Sequence, residues 1–496
     1  MIKFDIFSDG LVASELDLQG AYLFGQDEVP VRTQLEYTEG QLLGNRHGDT
    51  AIGLKTLWPV KDFGKVVLQT TRLPERDKAY NLNLEIVRGR LLKISQKREE
   101  WGLTDLALTE KHHELLDESL EQFINAICNI DEPRLAADFA DQALIYAMQA
   151  GEQIALAHAN GLLEKRLSNH GIGRYSFGCC FDLNRMTDVN YLKVIKEKFS
   201  FVTIPVSWRS LQPDEQSYDF AQLDQAVNWL NQNRIAIKIG PLVQFSHDCL
   251  PDWVYIWESD FEQVRELAYD FITKIVERYT SKVQAWDVVS SLNAENCLNF
   301  GFDQLIDMTR SACLAAKRAA AKALVLVEIT DPWGSYYARN QRTIPPMIYL
   351  EMLTQSGVNF DGLGVKMSFA QPRIEGQMRD MLEFSALLDK LAFGGKPLHI
   401  SGMGAPSKPE KIDGDDASDP GQWHKKWDKK LQAQWLETAY RIALSKSFVE
   451  TVTWRDLADN NDSLLKNGGL YKVDMTPKLA MEAISKLKDK FTVVKK

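Results

Sequence analysis

From Gly173 onward the chain repeats one alternation, a short β-rich run followed by a helical stretch. The runs are YSFGCCFD, FSFVTIPVSW, IAIKIGPLVQF, VQAWDVVSS, LVLVEIT, DGLGVKM, PLHISG and FVETVTW. Between them lie segments such as 260–280, where Val264, Leu267, Phe271 and Ile275 form one apolar stripe at helical spacing. Eight strand–helix repeats predict an α/β fold, a (β/α)8 TIM barrel, whose working side chains belong at the C-terminal ends of the strands.

A chain of 496 residues exceeds what one barrel needs, so additional structure is expected upstream. Residues 1–73 read as a small antiparallel, β-sandwich-like domain. Val31, Leu35 and Tyr37 share one alternating face before a turn at Glu39-Gly40, and GLKTLWPV and GKVVLQTTRLP add two β-rich runs. After Pro74 the period becomes helical. Leu84, Val87, Leu91 and Ile94 recur at three and four before Gly102; Leu116, Leu120, Phe123 and Ile127 form a second stripe; a third segment opens with Pro133 in its first turn. Residues 74–170 are thus expected to be a helical region whose stripes pack within the chain, with pairing to a second copy, a homo-oligomer, as the alternative. The barrel is expected over 171–490.

Hydrophobic content of 45% and charged content of 25% are those of a soluble globular protein. A net charge of -10 without a Lys/Arg run argues against nucleic acid as a partner. No apolar window approaches the roughly 18 residues of a membrane span, and MIKFDIFSDGLVASELD lacks the pattern of a secretory signal, so no membrane and a cytoplasmic location are expected. The six cysteines are scattered and are read as reduced and buried. His247-Asp248 stands without an HxH or HExxH companion, and neither a G-x-S-x-G elbow nor a Gly-rich phosphate loop is present; no metal and no cofactor are expected.

Several blocks, in order, resemble glycoside hydrolase family 10, the xylanase family. WDVVSS (286–291) is similar to WDVVNE, HISGMG (399–404) to the ITELD segment, TIPVSW (203–208) to ENEMKW, LVQFSHDCLPDWV (242–254) to LVWHSQLPSWV, DGLGVKMS (361–368) to DGIGSQTH, and VTWRDLAD (452–459) to ITVWGVRD. The resemblance covers about 173–487. It implies the barrel, an oligosaccharide or related glycan as partner, and a site at the mouth.

Carried over residue by residue, the resemblance puts Ser291 at the general acid/base position and Gly402 at the nucleophile position. Pro205 and Ser207 fall on the Glu and Lys of ENEMKW, leaving Trp208; Gln244 and Phe245 fall on the Trp and His of LVWH; Ser290 stands for Asn, and Lys366 and Ser368 for Gln and His. Retaining hydrolysis needs two carboxyls about 5 Å apart, and general acid assistance is worth about 10² to 10⁴ in rate. A serine hydroxyl and a glycine supply neither. The expectation is therefore a family 10-like protein without the family's retaining hydrolysis, binding a carbohydrate through Trp208, Gln244, Ser290, Ser291, Lys366, Ser368, Gly402, Trp454 and Asp456.

One alternative is an active, divergent glycosidase with relocated carboxylates. Glu328, ending the fifth run, is its catalytic candidate, with Asp331, Glu295, Asp456 and Asp459 as possible partners. Another is a structural or assembly protein. By alternation Lys366 should face into the barrel as a salt-bridge partner of Glu328 or a contact for an acidic sugar, and His399 should face the surrounding helices. Segment 404–430 should lie over the mouth, with Trp423, Trp427 and Trp333 available for stacking on sugar faces.

Overall fold

The computed structural model describes residues 1–7, 18–45, 50–103, 110–169, 171–409, 418–463 and 465–492. Its centre is a closed barrel of eight parallel strands. In chain order these are Phe177–Cys180, Phe201–Ile204, Ala236–Ile239, Ala285–Ser290, Leu324–Thr330, Gly362–Ser368, Leu398–Gly404 and Val449–Trp454. The eighth closes on the first with Val452 opposite Phe177. The runs are apolar because helices cover their outer faces and side-chain layers fill the inside. The helix Phe261–Tyr279 is typical: Asp260 caps it by accepting from the Gln263 amide at 3.1 Å, while Val264, Phe271 and Ile275 are buried.

Upstream lie two sheets. One orders Gln34–Thr38, Gln41–Asn45, Ile2–Asp5 and Tyr80–Asn81; the other orders Gln422–Trp423, Gly64–Gln69, Gly53–Val60, Tyr22–Phe24 and Pro30–Val31. The Glu39-Gly40 turn has φ of 53° and 82°, the left-handed pair that a two-residue hairpin of native twist requires. Where the sheets meet, a Cβ on Gly44 would lie 3.0 Å from Leu23 Cδ1.

Three helices follow: α1 (Leu82–Glu100), α2 (Glu110–Cys128) and α3 (Pro133–Asn169). Ala136, Ala140, Ala143, Ala147, Gly151 and Ala155 give α3 a buried, small-residue face that lets its neighbours approach. A Cβ on Gly151 would come 2.5 Å from Arg90 Nη2. Arg90, on α1, reaches across to the barrel and donates to both oxygens of Asp380 at 3.0 Å. Asp380 in turn caps the barrel helix Met381–Ala392 by accepting from the Leu382 amide at 2.8 Å. Arg166 of α3 donates to the carbonyls of Leu444 and Lys446. These contacts bind the helical region to the barrel's flank. On α2, Leu116 is buried and Phe123 lies half-buried beneath the Arg88 guanidinium, whereas Leu120 and Ile127 remain exposed.

Two expectations need correction. Segment 404–430 does not simply cover the mouth: Gln422–Trp423 pairs antiparallel with Gly64 and Lys65, and the indoles of Trp423 and Trp427 are buried. Trp423 Nε1 donates to Glu152 of α3 at 2.8 Å. The strand edge of the upstream sheet attracts this segment because it offers unpaired backbone groups; residues 410–417 lie outside the described residues. The cysteines are all free, but they are not all buried, since Cys128 is exposed. Among the described residues no helix is long and apolar enough to cross a membrane.

Candidate functional site

A cleft of about 990 Å³ opens at the C-terminal ends of the strands. Its floor is polar. Lys238, from the third strand, pairs with Asp287 of the fourth at 2.7 Å, each about 1% exposed. Gly240 makes this approach possible, because a Cβ there would fall 2.7 Å from Asp287 Cβ, and its φ of 143° suits glycine. Burial pushes the Asp287 carboxyl up to about 6 against the pull of Lys238. The Asp287 Oδ1 atom has no hydrogen-bond partner among the described residues.

Glu328 stands beside this pair, only 4% exposed. Gly364 leaves room for it: a Cβ there would press on Glu328 Cβ at 3.0 Å. Ser290 Oγ donates to one carboxylate oxygen at 2.6 Å, and Ser401 Oγ donates to the other. Ser291 extends the chain, with its hydroxyl 3.1 Å from that of Ser290. The fourth strand slips register between Asp287 and Val289, so Asp287 and Ser290 both turn inward despite their odd spacing. Ser291 is fully buried, holds a left-handed φ of 60° and donates its amide to the Glu328 carbonyl at 3.2 Å.

Around the rim, Lys366, Gly402 and Asp456 line the cleft with Glu328. A Cβ on Gly402 would lie 3.6 Å from Lys366 Cγ and meet no other atom of the described residues within 4 Å. Asp456 accepts from Ser463 Oγ at 3.0 Å, and burial raises its carboxyl above the usual range even with Arg455 nearby. Arg455 also donates to Ser368 Oγ at 3.3 Å. Asp459 is occupied by Lys478 at 2.5 Å.

Other sequence candidates lie apart. Gln244 donates to Glu295 at 2.6 Å, and neither lines the cleft. Asp331 is pushed up to about 7 by burial and by the charges of Glu375 and Glu295. Trp208 is 1% exposed, stacks on Phe271 with centroids 4.9 Å apart and donates to Gln212. Trp454 is fully buried and donates to the Gly468 carbonyl at 2.8 Å. Neither indole offers a free face to a sugar. Trp333 is covered by the Arg379 guanidinium at 4.5 Å.

His399 departs from its expected orientation. The seventh strand slips register between Leu398 and His399 and again between Ile400 and Met403, so Ser401 and Gly402 both reach the cleft. His399 shares the inward side with Ser401: its ring meets the space a Gly362 side chain would fill, beside Leu326, and its Nδ1 lies 3.0 Å from Thr451 Oγ1. Burial and the charge of Lys238 depress it to about 3. Nor does Lys366 bridge to Glu328, whose oxygens are taken by serines; the Lys366 ammonium has no hydrogen bond or ion pair among the described residues. Sequence reading passed over Lys238, Asp287, Ser401 and Arg455. A charged residue inside an apolar strand run, as in IAIKI and AWDVV, was the available signal.

Among the described residues no group of three or more His, Cys, Asp or Glu side chains is placed to hold a metal ion.

An eight-stranded parallel barrel with a polar cleft at its strand ends is the (β/α)8 architecture, whose active sites sit at that face. Residues 165–487 match the model of glycosyl hydrolase family 10, and the chain belongs to that family. It is 23% identical over 187 residues to a β-1,4-xylanase of Dictyoglomus thermophilum, covering 36% of this chain and 50% of that protein. Similarity to an endo-1,4-β-xylanase/feruloyl esterase of Xylanibacter ruminicola is 23% over 211 residues, covering 39% and 29%. The chain thus spans half or less of the length of these two curated relatives. The fold is similar to that of a family 10 endoxylanase from a sugarcane soil metagenome, with a TM-score of 0.51 and 20% identity over 63% of this chain and 97% of the other. It is likewise similar to xylanase 10B from Thermotoga maritima, with a TM-score of 0.50 and 18% identity over 66% and 97%.

Proposed function

We propose that this barrel binds an oligosaccharide in its cleft and does not run the retaining hydrolysis of its family. The observation that carries the reading is the state of the two assigned positions. Ser291 is fully buried and is not among the residues that line the cleft, and Gly402 leaves the space beside Lys366 without a carboxylate. Glu328, which lines the same cleft, has both oxygens engaged by hydroxyl donors. Such an acceptor suits a fixed polar floor better than a nucleophile, which must approach the anomeric carbon unencumbered. The candidate ligand contacts are Lys366, Gly402 and Asp456 at the rim, with Ser290 acting through Glu328. Ser368, engaged by Arg455, stands one step behind them.

The second reading, a divergent glycosidase, draws on a different observation. Asp287 near 6 and Asp456 raised above its usual range share the cleft with Glu328. A carboxyl held protonated near neutrality is what a general acid requires, and an inverting pair tolerates separations of about 6.5–9.5 Å.

Calorimetric titration with xylo- and cello-oligosaccharides, followed by chromatography of the cell contents, separates the two. We expect binding with intact ligand, and a change of only a few-fold in Kd on Glu328→Gln, since Gln keeps one acceptor oxygen. Shortened ligand that disappears with Glu328→Gln would install the glycosidase reading instead.

A further inference from the structure

Charge in the cleft is answered nearly everywhere. Asp287 has Lys238, Glu328 has two serine hydroxyls, Asp459 has Lys478, and Arg455 touches Ser368 and lies 3.9 Å from Asp456. Among the cations that line the cleft, where Arg185 pairs with Asp188, Lys366 is the exception. Its ammonium carries three donors and makes no hydrogen bond or ion pair among the described residues, although the stem is half-buried at the mouth. The space beside it is open among the described residues, where a Cβ on Gly402 would meet only the Lys366 stem. A partly desolvated ammonium beside an empty, ligand-sized volume is a ready partner for an anion, and a charge-assisted contact there exceeds any that a neutral sugar hydroxyl offers.

We propose that the cleft takes an acidic glycan, whose carboxylate or sulfate group pairs with Lys366 in the space above Gly402. The proposal rests on the oligosaccharide-binding reading and names its ligand class. The floor offsets part of its own charge: Asp287 is paired with Lys238 at 2.7 Å, and the Glu328 oxygens accept from two serine hydroxyls, so the attraction for an anion falls to Lys366.

The test is calorimetric titration of the whole chain with three probes of equal length: a neutral xylo-oligosaccharide, a galacturonate oligomer and a sulfated oligosaccharide. One acidic probe should bind about 10- to 100-fold tighter than the neutral one, and the advantage should shrink as salt rises. Which acidic probe gains identifies carboxylate or sulfate as the group recognised. Lys366→Met should erase the preference, weakening the acidic probe far more than the neutral one; Lys366→Arg, which keeps the charge, should retain most of it and shows that the site still folds. Equal affinity for neutral and acidic probes, or an equal loss of both in Lys366→Met, overturns the inference while leaving oligosaccharide binding intact. Silence from all three probes overturns the binding reading and this inference with it.

Discussion

Two buried ion pairs, one at the seam between helix and barrel and one in the barrel floor, are built differently. At the seam, Arg90 meets Asp380 through two parallel hydrogen bonds of 3.0 Å, and the spare capacity of the carboxylate is used by a helix amide. In the floor, Lys238 meets Asp287 through one oxygen, and the other oxygen has no hydrogen bond among the described residues. The seam carboxylate is satisfied as a structural joint should be. The floor pair keeps an unspent acceptor beside a cleft, and its carboxyl sits near 6 because burial outweighs the single cation. A buried pair therefore reports its role through what remains unpaired as much as through its contact distance.

The contrast can be broken most directly at the seam. Arg90→Met should strand a buried carboxylate and cost about 3–5 kcal/mol, read as a lower urea midpoint. Asp287→Asn should cost less, about 1–3 kcal/mol at pH 7, because the group is already close to its titration and Glu328 remains as a nearby anion for Lys238. Equal losses from the two variants would remove the distinction.

A smaller effect sharpens it. The Asp331 carboxyl, in the loop after the fifth strand, makes no hydrogen bond or ion pair among the described residues and is raised to about 7. A carboxyl raised in the fold binds its proton more tightly there than when unfolded. Its contribution to stability is therefore lost as pH rises from about 4 through 7. Asp331→Asn should accordingly improve Tm relative to the parent more at pH 8 than at pH 5, by on the order of 1–2 °C. A difference that is flat with pH would show that Asp331 ionises freely.

The barrel was legible because its strands are apolar on both faces, and that signal survives sequence drift. Glu328 was legible as a carboxylate at a strand end, and Lys366 because the sixth strand keeps its alternation through Gly364 and Lys366 on one face. The bond from Ser290 to Glu328 and the inward turn of His399 were not, since slips in the fourth and seventh strands shift parity without any composition mark. Trp208 and Trp454 illustrate another limit. An aromatic residue at a strand end reads the same whether it faces a sugar or fills the shell between barrel and helices, and here both fill the shell. The hold of the upstream sheet on residues 422–423 was likewise invisible, because two residues carry no strand pattern.

That borrowed strand sets a timetable for biosynthesis. The Lys65 ammonium finds its carboxylate partner, Asp419, 354 residues later, next to the backbone that completes the sheet edge. At about 5–20 residues per second the ribosome leaves that edge open for roughly 20–70 s. Throughout the interval the nascent sheet exposes a row of free backbone donors and acceptors that any passing strand can capture, so chaperone demand should concentrate on the early part of the chain.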